Sequence, residues 1–252
     1  MNNGILLCCH GTKSTKGTND TKKLLKIFKE KNKDYIIKIG YLEIRKPSIK
    51  DQLEFFFKKK LNNLIIAPVM IFPGNHVTKD IPRIITSTKK KYNNLPKIFV
   101  TKPLVYSKDF FNTIQKNIKN LNRKKKIGLI VAASNTINFK AKNEINLLAK
   151  KVSKENKLSF YKSVLISLNK KKLKDELRNI DLPHDKLLVL PFFLFRGKLL
   201  KNLIFVIKEL NMEQKDKFTL CNHLNRGLHQ IGPTLLCFHN WNYKFNTKKS
   251  SI

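Results

Sequence analysis

Short apolar runs alternate with amphipathic segments along the first half of the chain, and each apolar run ends at a polar loop. Strands are predicted at residues 4–9, 35–41, 63–69 and 98–102. Helices are predicted at residues 19–31, 49–60 and 77–92. Ser48 and Asp51 have the spacing of a capping box and mark the start of the second helix. Alternating strands and helices predict an α/β fold, a parallel sheet with helices on both faces.

The same pattern recurs in the second half at an offset of 123 residues. Residues 6–10 (LLCCH) correspond to residues 129–133 (LIVAA), and residues 68–74 (PVMIFPG) correspond to residues 191–197 (PFFLFRG). One offset shared by separate segments indicates a duplication. We therefore predict two homologous halves, at residues 1–122 and 123–252, joined near residues 120–126 by a polar and basic linker.

Side chains that can bind a metal follow three strands of the first half. His10 ends the first strand, Glu43 follows the second, and His76 lies seven residues after the third. Ligands of parallel sheets bind beyond the carboxyl ends of the strands. We therefore expect these three side chains to meet at one edge of the sheet.

Three short motifs surround these side chains: Cys9-His10-Gly11-Thr12, then Tyr41-Leu42-Glu43 with Pro47-Ser48, then residues 72–82 (FPGNHVTKDIP). In order and spacing they resemble the class II tetrapyrrole chelatases. More narrowly, they resemble the long, two-repeat (CbiX-like) sirohydrochlorin cobaltochelatases and ferrochelatases. The resemblance covers essentially the whole chain. It implies two flavodoxin-like halves that face each other across a cleft, where the tetrapyrrole and the metal bind.

By this resemblance, His10 and His76 are expected to be metal ligands and acid–base groups, with Glu43 as an assisting carboxylate. Two histidines and one carboxylate suit Co²⁺ or Fe²⁺ and leave coordination positions open for the macrocycle. In the second half, Ala133 stands at the place expected for His10, and Leu199 at the place expected for His76. One active site per chain is therefore implied.

Four cations near these motifs are candidates for binding the carboxylates of the tetrapyrrole: Lys13, Arg45, Lys46 and Lys79. The Lys13-Ser14 pair replaces an arginine-containing turn that is usual in the family. Asp80 is interpreted as a residue that favours the dipole of the helix it precedes.

A second cluster of soft ligands lies near the end of the chain. Its members are Cys221, His223, Cys237 and His239, with His229 between the pairs. The Cys-x-His spacing differs from the usual zinc patterns, so a structural metal stays an open alternative. Cys8 and Cys9 are adjacent on a strand and are expected to face opposite sides of the sheet.

The net charge of +35 points by itself to nucleic acid or another polyanion. The lysines are scattered along the whole chain, however, and Asn and Ile are also abundant, as in proteins from AT-rich genomes. Compositional drift, an anionic substrate and nucleic acid are the three explanations, and we favour the first.

The function predicted from the sequence is that of a lyase, a sirohydrochlorin cobaltochelatase in cobalamin synthesis. A ferrochelatase for sirohaem is the alternative within the same class. A metal carrier without turnover and a nucleic-acid-binding protein are alternatives from other classes. We expect a cytoplasmic monomer with no cofactor beyond the substrate metal, no membrane association and no nucleic-acid partner.

Overall fold

Two parallel sheets form the framework of the protein in a computed structural model that describes residues 2–118, 126–180, 186–222 and 224. The strands of the first sheet are β1 (Asn3–Cys9), β2 (Tyr35–Tyr41), β3 (Asn63–Pro68) and β4 (Lys97–Val100). Those of the second are β5 (Ile127–Ser134), β6 (Phe160–Ile166), β7 (Lys186–Pro191) and β8 (Phe218–Leu220). The strand orders, β2-β1-β3-β4 and β6-β5-β7-β8, are equivalent, and all described pairings are parallel. The predicted fold of two α/β halves is confirmed.

Helices connect the strands in both halves. They are α1 (Thr15–Lys31), α2 (Ile49–Phe57), α3 (Ile81–Lys89), α4 (Lys108–Ile118), α5 (Phe139–Glu155), α6 (Lys170–Arg178) and α7 (Lys198–Glu213). The predicted capping box opens α2, with Ser48 and Asp51 each accepting a backbone N–H of the other. None of the helices in the described residues is long and apolar enough to cross a membrane.

The prediction of a single helix at residues 77–92 is wrong at the start of that segment. A π-helix, His76–Asp80, precedes α3, because the N–H of Ile81 donates to the carbonyl of His76, five residues back. Pro82 follows directly and has no N–H with which to resume the ordinary i to i+4 pattern. Single π-turns of this kind are frequent at functional sites.

The strand register corrects the alignment of the two halves. Cys8 pairs with Pro68 in the first sheet, and Ala132 pairs with Pro191 in the second. The offset is therefore 123 residues for β3 and β7, but 124 for β1 and β5. Ser134, not Ala133 as predicted, occupies the place of His10. The predicted linker falls almost wholly outside the described residues, and the boundary at residue 122 stays a prediction.

One apolar core is shared by the two halves. Ile5, Leu7 and Cys9 face this core, whereas Leu6 and Cys8 face a second core that lies within the first half, as expected for neighbours on a strand. Residues of both halves meet in the shared core, where the ring centroids of Phe72 and Phe192 are 5.7 Å apart. This packing brings the carboxyl ends of β3 and β7 towards one cleft.

Candidate active site

Ligand atoms of His10, Glu43 and His76 converge at the edge of the first sheet. One ligand atom from each of the three side chains lies within 4.8 Å of the other two. The imidazole rings of the two histidines are 4.8 Å apart between centroids and nearly perpendicular, at 82°. His10 and Glu43 are exposed, and His76 is half-buried. The sequence therefore predicted correctly that these three side chains come together, and their spacing suits a divalent metal.

Backbone contacts between two loops bring Glu43 to His10. The N–H of Glu43 donates to the carbonyl of His10 at 3.0 Å, and the N–H of Leu42 donates to Cys9 at 2.9 Å. Gly11 permits this approach, because a Cβ at that position would lie 2.0 Å from the Glu43 carbonyl oxygen. Its φ of +98° is also in the region that favours glycine. The Gly of the His-Gly motif thus positions the carboxylate.

The loop that carries Glu43 is strained at the next residue. Ile44 has a φ of +67°, which is unusual for a β-branched side chain. The N–H of Arg45 donates to the carbonyl of Glu43 at 2.6 Å, which makes a γ-turn centred on Ile44. Positive φ at the central residue is the rarer and strained form of this turn. Such strain tends to occur next to functional groups.

His76 is oriented by a carboxylate on its own π-helix. Its Nδ1 lies 2.8 Å from Oδ2 of Asp80, and the guanidinium of Arg83 donates to the other oxygen of Asp80 at 2.7 Å. The hydrogen bond with His76, aided by Arg83, lowers the pKa of the Asp80 carboxyl. With Nδ1 engaged, the Nε2 atom is the one available to a metal. Interpreting Asp80 as a dipole partner overlooked this contact.

A cavity of about 720 Å³ opens beside the metal-capable side chains. The first half supplies His10 and His76, and the second half supplies the loop after β5 and residues 192–200 after β7. Much of the lining is aromatic or aliphatic, including Phe72 and Phe193. The volume lies in the usual range for small-molecule sites, about 300–1,000 Å³. The cleft can therefore hold a large, flat and mainly apolar ligand.

The four cations predicted to bind carboxylates do not line this cavity. The guanidinium of Arg45 contacts the backbone of the loop after β1, donating from Nε to the carbonyl of Thr12 at 2.8 Å and from Nη2 to that of Lys13 at 3.3 Å. Lys46 lies 3.7 Å from Asp51, and Lys13 and Lys79 are exposed. Among the described residues, the lysine and arginine side chains that line the cavity are Arg196 and Lys198, from the second half. The sequence analysis missed both, although Arg196 interrupts the repeat where Pro73 stands in the first half.

Most of the candidate ligands near the end of the chain lie outside the described residues: His223, His229, Cys237 and His239. Cys221 is described and is a buried free thiol. Burial raises the pKa of its thiol to about 12. At neutral pH this group is a thiol and not the thiolate that binds metals.

Comparisons with known proteins agree with this arrangement. The CbiX family model matches residues 4–121. A chloroplastic sirohydrochlorin ferrochelatase of Arabidopsis thaliana is 28% identical over 101 residues, which are 40% of this chain and 44% of that enzyme. The chain thus spans less than half of that relative. A sirohydrochlorin cobaltochelatase of Priestia megaterium is 20% identical over 239 residues, covering 92% of this chain and 77% of the relative.

A solved structure matches both halves together. SirB from Bacillus subtilis with Fe³⁺ has a TM-score of 0.77 at 18% sequence identity, covering 94% of this chain and 93% of that chain. At this identity the likeness concerns the fold, and it extends over both halves. Residues 4–121 thus match the CbiX family model, and the chain as a whole is similar to the CbiX-like chelatases in their long, two-repeat form.

Proposed function

We propose that the protein inserts a divalent metal ion into sirohydrochlorin, and that Co²⁺, for cobalamin synthesis, is its metal. The observation that carries the proposal is the meeting of His10, Glu43 and His76 beside a cavity built by both halves. The names of the relatives that align with the chain support sirohydrochlorin as the tetrapyrrole. One chain supplies both walls of the cleft, so we expect a monomer, which light scattering would test.

The metal ion is a substrate in this reaction and must be held loosely enough to leave. Two imidazoles and one carboxylate give three protein ligands and leave positions for water and then for pyrrole nitrogens. His10 and Glu43 are exposed, which allows the ion to enter and to be transferred. His76 is held by Asp80 and is the more rigid of the two histidines. We propose that His76 anchors the ion and that His10 and Glu43 release it.

Two protons leave the pyrrole nitrogens for each metal ion that enters. The Nδ1 atom of His10 lies 3.3 Å from the carbonyl oxygen of Gly11. Unlike His76, His10 has no hydrogen bond with a carboxylate among the described residues. A neutral imidazole accepts a proton readily near neutral pH. We propose that His10 and Glu43 accept the two protons and pass them to water, since both are exposed. The balance is one M²⁺ bound and two H⁺ released.

Iron is the alternative metal. One relative that aligns with the chain is a ferrochelatase, whereas the Priestia megaterium relative and several more are cobaltochelatases. The ligand set suits both ions. The long, two-repeat form favours cobalt by analogy alone.

The test is anaerobic mixing of the purified protein with sirohydrochlorin and either Co²⁺ or Fe²⁺, followed by the visible spectrum. We expect insertion above the rate without protein, and a loss on the order of 100-fold in His10→Ala and in His76→Ala. Glu43→Gln is expected to slow insertion less, and Glu54→Gln, a carboxylate on α2 paired with Lys50, is its matched control. The faster metal identifies the pathway.

Two outcomes would overturn the proposal. Binding of Co²⁺ through both histidines without any acceleration would indicate a metal carrier. Absence of both metal binding and turnover in a folded protein, with strongly salt-dependent binding to nucleic acid, would favour the polyanion explanation of the +35 charge.

A further inference from the structure

The two halves differ in a complementary way at the carboxyl ends of their strands. The first half carries the histidines, and the register places Ser134 and Leu199 at the equivalent positions of the second half. The second half instead carries Arg196 and Lys198 on the loop after β7 and at the start of α7. The equivalent residues of the first half are Pro73 and Asn75. Metal-capable groups of the first half and cations of the second half thus line the same cavity.

Arg196 is fixed by a buried carboxylate from the first half. Asp20, on α1, is 1% exposed and accepts three kinds of N–H from Arg196. These are the backbone N–H at 3.0 Å, Nε at 3.0 Å and Nη2 at 2.6 Å. Within the described residues, Nη1 has no acceptor, and the arginine side chain is 39% exposed. A guanidinium so held presents its remaining N–H groups without further loss of entropy.

The backbone at Arg196 is held as closely as its side chain. A Cβ at Gly17 would lie 2.5 Å from the Arg196 carbonyl oxygen, so α1 packs against this loop directly. The equivalent position in the second half is Ala141, one of the residues that line the cavity. The close backbone contact is therefore specific to the pairing of α1 with the loop that carries Arg196, and it has no equivalent at the start of α5.

Lys198 adds a second cation two residues later. It is exposed, lines the cavity and has no ion-pair partner among the described residues. It is also the first residue of α7, a helix with no side-chain cap and no acidic residue in its first turn. A cation at a helix N-terminus is unfavourable unless an anion is nearby. Both cations thus lack an anion on the side that faces the cavity.

Building on the proposed function, we propose that Arg196 and Lys198 bind a carboxylate of the tetrapyrrole rim, at the part of the cavity that the second half supplies. The first half then holds the metal, and the second half holds and orients the macrocycle. The half without the histidines then supplies the contacts with the substrate carboxylate. Planar, charge-assisted recognition of a carboxylate is the usual role of a fixed guanidinium.

The experiment measures equilibrium binding of metal-free sirohydrochlorin, without metal, by absorption titration under anaerobic conditions. Lys198→Met is compared with Lys201→Met, which removes an exposed lysine of the same helix that does not line the cavity. We expect the Kd to rise about tenfold in Lys198→Met and to stay within about twofold in Lys201→Met. Lys198→Arg is expected to restore binding. The salt dependence of binding is expected to be shallower in Lys198→Met than in the unmodified protein.

Arg196 needs a variant that keeps a charge beside Asp20. Arg196→Lys retains the cation but loses the planar fork, and we expect a rise of the Kd with little change in thermal stability. Binding of Co²⁺ alone, in the absence of tetrapyrrole, is expected to be unchanged in the Lys198 and Arg196 variants. This readout separates contacts with the macrocycle from contacts with the metal.

The outcomes also separate this inference from the proposed function. If the unmodified protein metallates sirohydrochlorin but Lys198→Met and Arg196→Lys bind it as tightly as Lys201→Met does, the inference is wrong and the proposed function stands. If the unmodified protein neither binds nor metallates sirohydrochlorin, both are wrong. A parallel loss of Co²⁺ binding in Lys198→Met would also overturn the inference, since it would show a general disturbance of the cleft.

Discussion

The Nδ1 atom of His76 and the Oδ2 atom of Asp80 lie 2.8 Å apart on one turn of π-helix. Because the carboxylate also binds Arg83, its own orientation is fixed. The imidazole therefore has one nitrogen engaged, and the other, Nε2, is available to a metal. Carboxylate–histidine pairs of this kind set the tautomer and basicity of a metal ligand.

Replacing Asp80 by Asn should weaken the metal site without removing any ligand. We expect Asp80→Asn to lower the affinity for Co²⁺ by about 10- to 100-fold, because the ring of His76 loses its charged acceptor. Calorimetric titration with Co²⁺ measures the change. Arg83→Met is the comparison: Arg83 is 76% exposed and contacts Oδ1 of Asp80, not His76, so we expect a smaller loss of affinity. Equal affinities of Asp80→Asn and the unmodified protein would contradict this role.

The Asp20–Arg196 pair should contribute more to stability than an exposed ion pair. Replacing Arg196 by Met removes the guanidinium from the Asp20 carboxylate, which is 1% exposed. We expect a loss of about 3 kcal/mol in the free energy of unfolding, at the low end for buried pairs because the arginine is partly exposed. Denaturant unfolding with one spectroscopic probe for each half measures it.

Glu30→Gln is the matched control for that change. It breaks the exposed Lys26–Glu30 pair on α1, the helix that also carries Asp20. Exposed pairs one helical turn apart contribute about 0.3–0.5 kcal/mol. Similar losses in Arg196→Met and Glu30→Gln would mean that the inter-half pair is not a structural anchor.

Gly11 should tolerate no side chain, in contrast to Gly74. A Cβ at Gly11 would meet the carbonyl oxygen of Glu43 at 2.0 Å, whereas a Cβ at Gly74 has no neighbour within 4 Å. We expect Gly11→Ala to displace the Glu43 loop and to cost at least about 1–2 kcal/mol from its positive φ alone. Gly74→Ala should change stability by less than about 0.5 kcal/mol. Thermal unfolding and Co²⁺ titration of both variants test this, and a Gly11→Ala variant with normal metal affinity would refute it.

The strands of this fold were predictable because buried parallel strands are continuous apolar runs. The bounds of β2, for example, agree with the prediction at both ends. The π-helix at His76 was not predictable, because apolar periodicity does not distinguish i to i+4 from i to i+5 hydrogen bonding over a single turn. The one-residue difference between the offsets of β1 and β3 likewise appeared only in the strand register.

The meeting of His10, Glu43 and His76 could be predicted from the topology, since the carboxyl ends of parallel strands lie at one edge of the sheet. The spacing of four residues between His76 and Asp80 indicated a contact that the sequence analysis did not use. Arg196 and Lys198 were missed for a different reason. They reach the cavity from the other half, and the packing of two sheets about a shared core cannot be derived from local patterns.

Ile44 should be a site where a substitution stabilises the protein. Its φ of +67° costs a β-branched residue about 1–2 kcal/mol, whereas Asn adopts this region readily. The side chain is 54% exposed, so little apolar burial is lost on replacement. We expect Ile44→Asn to gain about 1 kcal/mol, which for a chain of this size is about 2–4 °C in Tm.

The same substitution tests what the strain at Ile44 does. Asn keeps the backbone of the γ-turn, so Glu43 should stay in place and the affinity for Co²⁺ should not change. Ile137→Asn is the control, because Ile137 is 87% exposed and is not among the residues with positive φ. A gain in stability for Ile44→Asn alone, with unchanged metal affinity, would mean that the strain is a cost of placing Glu43 and not a source of its reactivity. A loss of stability would mean that contacts of the Ile44 side chain stabilise the γ-turn by more than the positive φ costs.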